Sequence, residues 1–314
     1  MIVVAGESLV DLVPDADGRL VSLPGGSPFN VAIGLGRLGV DTTLLGPLSD
    51  DAFGVLLADR LDDAGVRALP TARTSRPTTL AMVHLDDAGH ASYGFYLDGT
   101  SATGLSASDV AVAHREEPAL VTAPLHVSLG AVTLASGGTG TTLAALIADA
   151  SSRPFVSLDP NVRPAVIGDM AAERAAIERA VAAVDLVKVS DEDLAALLPG
   201  RDPLAVAGEW ARSGPALVVV TRGGDGATAV RAEGGTLTVA SLPVPVVDTV
   251  GAGDAFTSGL LAALEERGLL DRRALRSADA SALREVLAFA SRVAAVTCTR
   301  KGADPPRRAE VAHA

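Results

Sequence analysis

The segment VPVVDTVGAGDAFTSG places an aspartate beside two glycines at the predicted start of an amphipathic helix. Gly251 and Gly253 allow the backbone to come close to a ligand, and the exposed N–H groups of a helix start attract anions. Asp254 follows directly, and the positive end of the helix favours its ionised form, which suits it to accept a proton from a hydroxyl group. Phosphoryl transfer requires this combination, because charge on the moving phosphate must be stabilised. The alternative is that Asp254 only caps the helix.

A second glycine pair lies in PGGSPFNVAIGLGRLG, where Gly25 and Gly26 form a predicted turn and Asn30 starts a predicted helix. The glycines let backbone N–H groups reach the oxygens of a polyol, and the Asn30 amide offers both a donor and an acceptor. We therefore predict a sugar site here. The alternative role of Asn30 is an ordinary helix cap.

A third glycine-rich loop lies in VVVTRGGDGATAV, after a predicted buried strand, and contains Thr221, Gly223, Gly224 and Gly226. Ligands of open α/β sheets collect at the carboxyl ends of the strands, so this loop is a candidate nucleotide site, although RGGDG also fits an ordinary hairpin turn. The loop does not match GxGxxG, and no GxxxxGK[ST] occurs in the chain, which disfavours the two common nucleotide-binding folds.

A parallel sheet would bring these three loops to one edge. Apolar runs, each followed by Gly, Asp or Ser and then a helical stretch, recur as IVVAGES, TTLLGPL, LHVSLGAV, PFVSLDPN, DLVKVS and ALVVVTRGG. These repeated units predict an α/β fold, with a mostly parallel central sheet flanked by helices on both faces, in a single domain over 1–314. The predicted helices are 30–38, 53–64, 139–151, 170–184, 191–198, 203–213, 254–267 and 281–297.

Two segments, at about 11–24 and 74–100, interrupt this alternation. Within the second, AMVHLDDAGHASYGFYLDG is typical of two strands joined by a DDAG turn, and the hairpin contains both tyrosines of the chain, Tyr93 and Tyr96. We predict that these strands form a small sheet that covers the site as a lid and provides a surface for a homodimer. A simple edge hairpin is the alternative.

The composition limits the partners. The chain has 26 Lys and Arg against 38 Asp and Glu, a net charge of -12, and no basic cluster interleaved with aromatics, so we expect no nucleic-acid partner. The single cysteine, Cys298, excludes an intrachain disulfide and a thiolate-rich metal site. The start MIVVAGESLVDLVP is too short to span a bilayer and lacks a basic region, so we expect no signal peptide, no membrane partner and a cytoplasmic location.

DTVGAGDAF and GGSPFNVA resemble the C-terminal and N-terminal signatures of the pfkB, or ribokinase-like, family of carbohydrate kinases. The similarity continues in the order of the family through AGESLVDLVP, GPLSDDAFG, SLDPNVR, VKVSDEDL, VTRGGDGA and CTRKGADPP, and so covers almost the whole chain. The resemblance implies a ribokinase-like α/β fold with a small β-sheet lid. It also implies a kinase that uses ATP and Mg²⁺ to phosphorylate a small sugar.

The resemblance further implies roles for the residues that match the family motifs. Asp254 would be the catalytic base, and the anion hole would consist of Gly251, Ala252 and Gly253. Sugar hydroxyls would be bound by Asp11, Gly25, Gly26 and Asn30. The nucleotide ribose and adenine would lie against Thr221, Gly223, Gly224 and Gly226, with Ser291 nearby.

Three further positions match the family less fully. Ser190 and Asp193 stand where relatives often have Asn and Glu, a pair that influences magnesium and phosphate binding. Arg163 matches an arginine that is frequent in fructokinase-like members and would bear on the transferred phosphate, with ordinary helix-start chemistry as its alternative role.

Many family members also hold a potassium ion behind the anion hole. In this chain the ligands would be the Asp248 side chain and the carbonyls of Val250, Thr297, Arg300 and Gly302. Pro306 stands where relatives often have a small polar residue, so potassium dependence is a hypothesis for this chain.

The motifs GESLVDLVP, SLDPNVRP and VKVSDEDL are more similar to fructokinases and 2-keto-3-deoxygluconate kinases than to ribokinases. We therefore predict phosphorylation of fructose on its 6-hydroxyl, with 2-keto-3-deoxygluconate kinase or ribokinase activity as alternatives. Arg73 and Arg76 lie just before a lid strand and could bind a phosphate group. A sugar that already carries a phosphate therefore remains an alternative substrate.

Two other classes of protein remain as alternatives. A catalytically silent sugar-binding regulatory protein should have lost Asp254 or the glycines before it, and both are present. A dinucleotide-dependent oxidoreductase needs a glycine fingerprint after its first strand, where AGESLVD has one glycine.

Overall fold

The computed structural model describes residues 1–15, 17–69, 73–85, 91–135 and 137–312. Its strands lie mostly in apolar or alternating segments of the sequence. They are β1 (Ile2–Ala5), β2 (Leu9–Pro14), β3 (Leu20–Gly25), β4 (Thr42–Leu45), β5 (Leu48–Ser49), β6 (Val66–Ala68), β7 (Arg73–Thr74), β8 (Thr79–Leu85), β9 (Ala91–Tyr96), β10 (Leu125–Ser128), β11 (Val156–Asp159), β12 (Leu186–Ser190), β13 (Leu217–Thr221), β14 (Ala227–Arg231) and β15 (Thr236–Val239).

Every predicted helix is present, with ends within a few residues of the prediction. The α-helices of the described ranges are α1 (Ser27–Arg37), α2 (Ala52–Asp63), α3 (Ala107–Glu116), α4 (Ala119–Thr122), α5 (Thr139–Ala148), α6 (Met170–Ala183), α7 (Asp191–Leu197), α8 (Pro203–Ser213), α9 (Ala252–Glu266), α10 (Arg272–Ser277), α11 (Ala280–Cys298) and α12 (Arg308–Val311). Of these, α3, α4, α10 and α12 were not predicted. No helix among the described residues has the length and apolar character needed to cross a membrane.

The main sheet has nine strands in the order β15-β14-β13-β12-β11-β10-β1-β4-β6. Pairing is parallel from β6 through β13, whereas β14 and β15 join by antiparallel pairing. The chain continues from β1 towards one edge of the sheet and from β10 towards the other. In open α/β sheets, such a switch point leaves a crevice at the carboxyl ends of the two strands, where ligands bind.

Side chains of the buried strands alternate between two cores, one on each face of the sheet. In β1, Ile2 and Val4 belong to one core, and Val3 and Ala5 to the other. Helices α1, α2, α9 and α11 contribute to the first core, whereas α3, α5, α6 and α8 contribute to the second. The predicted class, a mostly parallel sheet flanked by helices on both faces, is confirmed.

A smaller sheet has the strand order β3-β2-β8-β9, and its strands come from the two segments that interrupt the strand–helix alternation. It exposes apolar side chains, since Leu20 is 52%, Val21 44% and Tyr96 62% accessible. The predicted DDAG turn at 86–89 and the side chain of Tyr93 lie outside the described residues. The single-domain organisation over 1–314 stays a prediction.

Candidate active site

Helix α9 begins in a tight turn that only glycine fits well. Gly251, the residue before the helix, has a left-handed backbone conformation with φ 75°. A Cβ at this position would lie 2.6 Å from the Cβ of Ala303 and 2.9 Å from its Cα. The first N–H groups of a helix have no acceptor within the helix, so the turn formed by Gly251, Ala252 and Gly253 is suited to bind an anion.

Asp254 lies in the first turn of α9, but its carboxylate is held by another helix. Its Oδ1 accepts a hydrogen bond from Ser27 Oγ at 2.7 Å, and its Oδ2 accepts one from Asn30 Nδ2 at 2.9 Å. The capping residue of α9 is Gly251, and no side chain among the described residues caps the helix. The interpretation of Asp254 as a helix cap is therefore wrong, because both of its oxygens contact α1.

The buried position of Asp254 changes its acidity. Asp254 is 9% exposed to solvent. Burial raises the pKa of Asp254 to about 6, although the hydrogen bonds from Ser27 and Asn30 and the charge of Lys188 lower it, while Asp159 adds a smaller upward shift. At pH 7 and above the carboxylate is ionised and is a better proton acceptor than an ordinary aspartate.

Helix α1 starts earlier than predicted, at Ser27 instead of Asn30. Gly26, with φ 102°, precedes the helix, and Pro28 occupies its first turn. Ser27 and Asn30 are three residues apart and therefore lie on one face of α1, from which both donate to Asp254. The alternative role of Asn30 as a helix cap is wrong, because its amide makes the contact between α1 and α9.

Asp11 completes a polar corner beside Asp254. A Cβ at Gly25 would come within 2.3 Å of Asp11 Oδ2, so the glycine leaves room for this carboxylate. Burial raises the pKa of Asp11 to about 6, and the charge of Asp254 adds to the shift. The structure thus brings together, near Asp254, the residues predicted to bind the sugar, which are Asp11, Gly25, Gly26 and Asn30.

A buried ion pair that was not predicted from the sequence lies beneath the anion turn. Lys188 Nζ is 3.0 Å from Asp159 Oδ2, and their side chains are 6% and 0% exposed. A Cβ at Gly253 would lie 3.2 Å from Lys188 Nζ. Burial alone would lower the pKa of Lys188, but the carboxylates of Asp159, Asp193 and Asp254 outweigh it and raise the pKa. Lys188 is therefore a fixed positive charge next to the turn.

Two more polar residues missed in the sequence lie at the carboxyl ends of central strands. Ser128, the last residue of β10, has its Oγ 2.6 Å from Ser27 Oγ. Glu7, just after β1, is 1% exposed, and its Oε1 accepts the N–H of Ala131 at 3.3 Å. Burial raises the pKa of Glu7 to about 7. Their positions at the carboxyl ends of buried strands could have been recognised in the sequence.

Ser190 and Asp193 form the cap of α7. Ser190 Oγ accepts the Asp193 N–H at 3.0 Å, and Asp193 Oδ2 accepts the Ser190 N–H at 3.1 Å. Asp193 Oδ1 also accepts the N–H of Val162 at 2.8 Å. Arg163 precedes a short 3₁₀ helix (Pro164–Val166), and its guanidinium is 47% exposed at 4.0 Å from Asp193. Ser190 and Asp193 thus order the backbone beside Arg163.

The glycine loop after β13 is both a strand-end loop and a hairpin turn. Thr221 ends β13, a 3₁₀ turn (Gly223–Asp225) follows, and β14 pairs antiparallel with β13. Gly226 has φ 86°, and a Cβ there would lie 2.1 Å from the carbonyl oxygen of Val239. Both interpretations of RGGDG are therefore compatible with the structure.

A groove lies next to this loop and contains Ser291, the remaining residue of the predicted nucleotide site. It has a volume of about 720 Å³ and is lined by Ser291 of α11 together with Ser241, Leu242 and Phe289. Ser241 Oγ donates to the carbonyl of Gly224, which joins the groove to the glycine loop. The residues predicted to bind the nucleotide therefore lie close to one another.

The residues predicted to bind potassium lie where the loop before α9 meets the end of α11. Asp248 Oδ1 accepts the N–H of Val250 at 3.0 Å, and Asp248 Oδ2 accepts the N–H of Gly302 at 2.8 Å. The carbonyl of Thr297 accepts the N–H of Arg300 at 3.0 Å. Within the described ranges, no group of three His, Cys, Asp or Glu residues could hold a metal ion. A carboxylate and carbonyl oxygens nevertheless suit a hard monovalent cation.

Curated relatives match nearly the whole chain. A fructokinase of Rhizobium leguminosarum bv. trifolii is 38% identical over 288 residues, which are 90% of this chain and 86% of the relative. A fructokinase of Klebsiella pneumoniae is 36% identical over 306 residues, which are 96% of this chain and 94% of the relative.

Solved structures share the fold. A fructokinase of Xylella fastidiosa with bound ATP matches with a TM-score of 0.88 and 26% identity. A fructokinase double mutant of Vibrio cholerae O395, in a form with bound fructose, ADP and potassium ion, matches with a TM-score of 0.83 and 28% identity. Each comparison covers 99% of this chain and 97% of the other. The model of the pfkB family carbohydrate kinases matches residues 1–309. The chain therefore belongs to the pfkB family of carbohydrate kinases, which are phosphotransferases that act on sugar hydroxyls.

Proposed function

We propose that this chain is a fructokinase that transfers the γ-phosphate of ATP to the 6-hydroxyl of fructose. The observation that carries the proposal is the buried Asp254 carboxylate, which is held by Ser27 and Asn30 beside the Asp11–Gly25 corner. The relatives named fructokinase support the choice of sugar. In this proposal Asp11, Gly25, Gly26 and Asn30 bind hydroxyl groups of the sugar.

In the proposed reaction, Asp254 accepts the proton of the 6-hydroxyl as its oxygen attacks the γ-phosphorus. A new oxygen–phosphorus bond forms, the bond to the β-phosphate oxygen breaks, and ADP leaves. The N–H groups at Gly251, Ala252 and Gly253, with the Lys188 ammonium beneath them, stabilise charge on the moving phosphate. The exposed Arg163 guanidinium is proposed to bind the same phosphate.

The nucleotide is proposed to lie along the groove that contains Ser291, with its ribose and adenine near Thr221, Gly223, Gly224 and Gly226. Both Asp193 oxygens already accept backbone N–H groups, so this residue fits a magnesium ion that is held mainly by phosphates and water. Such an ion would neutralise charge on the phosphates. Ser190 and Asp193 then act by ordering the loop beside it.

The homodimer also stays a proposal. It is supported by the exposed apolar side chains of Leu20, Val21 and Tyr96 on the small sheet, which a second copy of the chain could cover.

A panel of acceptors tests the proposed substrate. With ATP and magnesium, we expect kcat/KM for fructose to exceed that for ribose, 2-keto-3-deoxygluconate and fructose 6-phosphate by roughly tenfold or more, because each differs in hydroxyl contacts at a polar site. Coupled ADP release gives the rates, and phosphorus NMR identifies the phosphorylated hydroxyl. A higher kcat/KM for another acceptor would overturn the choice of fructose, and no sugar-dependent ADP release would favour the silent sugar-binding alternative.

Potassium dependence is a separate prediction. A cation held by Asp248 and the carbonyls of Val250, Thr297, Arg300 and Gly302 would add positive charge behind the anion turn. We expect kcat to be several-fold higher in potassium than in tetramethylammonium, which is too large for such a site, and Asp248→Asn to remove most of that difference. Equal rates in the two salts at the same ionic strength would contradict the prediction.

A further inference from the structure

Asp254 lies at one end of a short hydrogen-bonded chain of buried hydroxyl groups. Ser27 Oγ lies 2.7 Å from Asp254 Oδ1 and 2.6 Å from Ser128 Oγ. Ser27 is 8% and Ser128 0% exposed. A hydroxyl group has one proton to donate. When Asp254 is ionised, the proton of Ser27 must point to the carboxylate, so Ser128 must donate to Ser27.

The hydrogen bonds of this hydroxyl chain can also run in the opposite direction. Ser128 Oγ also lies 3.4 Å from the carbonyl oxygen of Leu129, which is an acceptor at the far end. When Asp254 carries a proton on Oδ1, it can donate to Ser27, Ser27 to Ser128, and Ser128 to Leu129. The reversal needs only rotation of two hydroxyl groups. Because a backbone carbonyl does not take up the proton, the chain orients Asp254 and does not conduct protons.

We propose that Ser27 and Ser128 are positioning residues for the catalytic base: their hydroxyl pair holds Asp254 ionised before phosphoryl transfer and reverses direction to hold it protonated afterwards. This inference rests on the proposed role of Asp254. The two residues come from α1 and β10, so the pair also fixes the base relative to β10 of the main sheet.

Several charged groups face Asp254 and must be separated from the effect of the pair. They are Lys188 of β12, Asp159 of β11, Asp11 of β2 and Glu7 after β1, with Arg163 acting on Glu7. Among the interactions that lower the pKa of Asp254, the hydrogen bond from Ser27 has the largest effect. Without this hydrogen bond, less opposes the upward effect of burial, so the pKa of Asp254 rises.

Two single variants and their combination test the hydroxyl pair. We expect Ser27→Ala to lower kcat roughly 10- to 100-fold, the range for a hydrogen bond to a charged group, with little change in KM for fructose. We also expect it to raise the pKa of Asp254 by about one unit. Ser128→Ala should act in the same direction but less strongly, and it should have no further effect in the Ser27→Ala background, because it acts through Ser27.

Carbon-13 NMR titration of the Asp254 carboxyl measures its pKa directly, and Asp254→Asn identifies the signal. Ser258→Ala is a matched control, since Ser258 is a buried serine of α9 whose hydroxyl donates to Ala255 of the same helix. We expect kcat and the Asp254 pKa to be unchanged in that control. An unchanged pKa in Ser27→Ala, or additive losses from Ser27→Ala and Ser128→Ala, would overturn the proposal.

The proposed base and the proposed pair fail in different ways. An active Asp254→Asn variant contradicts the role of Asp254 itself. An inactive Asp254→Asn variant combined with a normal Ser27→Ala variant contradicts only the hydroxyl pair. If Ser27→Ala does not fold, Ser128→Ala decides the matter by the same kcat and NMR measurements.

Discussion

Asp254→Asn is expected to lower kcat by about 10²- to 10⁴-fold, the usual contribution of a general base. Asparagine keeps the shape of the side chain, and its carbonyl can accept the hydrogen bond from Asn30. Its NH₂ group can donate to Ser27 once the Ser27 hydroxyl points to Ser128. Fold and sugar binding should therefore be nearly intact, which calorimetric titration with fructose can check. Turnover close to that of the unmodified chain would refute the base assignment.

The same substitution should stabilise the fold at alkaline pH. The pKa of Asp254 is raised from 3.8 to about 6, so the folded state holds its proton more tightly than the unfolded chain does. Ionisation of this carboxyl therefore opposes folding above pH 6, and the penalty disappears below the unfolded pKa. A shift of about 2 units corresponds to about 3 kcal/mol, which is the upper limit of the gain expected at pH 8.

Urea unfolding measures this gain, which should be smaller at pH 5, where the folded form of Asp254 is mostly protonated. A lower free energy of unfolding for Asp254→Asn at pH 8 would contradict the buried-charge argument. The expected combination of lost turnover and increased stability is typical of a functional group held in an unfavourable environment.

The sequence predicted the sheet well because its strands are buried on both faces. Leu217 and Val219 face one core while Val218 and Val220 face the other, which produces an apolar run that does not alternate. Local signals were also available where the prediction failed. Gly26 and Pro28 mark the true start of α1, and the capping box of Ser106 and Asp109 marks α3.

Contacts between distant residues could not be predicted in this way. Ser27 and Ser128 are 101 residues apart, and only the packing of α1 beside β10 brings their hydroxyl groups together. The pairing of Lys188 with Asp159 likewise depends on the register of β11 and β12. Lys188 did carry one signal, since it is one of two lysines among 26 basic residues and lies inside the apolar run DLVKVS.

Lys188→Met is expected to affect both stability and turnover. It removes the ammonium that lies 3.0 Å from Asp159, and it leaves a fully buried carboxylate with only Thr257 and the N–H of Asn161 as donors among the contacts observed in the described residues. Removing one partner of a buried ion pair costs about 3 to 5 kcal/mol. By comparison, Arg174→Met, which breaks an exposed pair with Glu178, should cost about 0.5 kcal/mol or less.

A second substitution separates the two roles of Lys188. In Lys188→Met/Asp159→Asn no uncompensated carboxylate remains at the pair, so urea unfolding should show that much of the lost stability returns. Turnover should stay low, because the Lys188 ammonium that lies beneath Gly253 and stabilises the moving phosphate is then missing. If kcat recovers together with stability, Lys188 only supports the fold, and the phosphate must be stabilised by the anion turn and Arg163 without it.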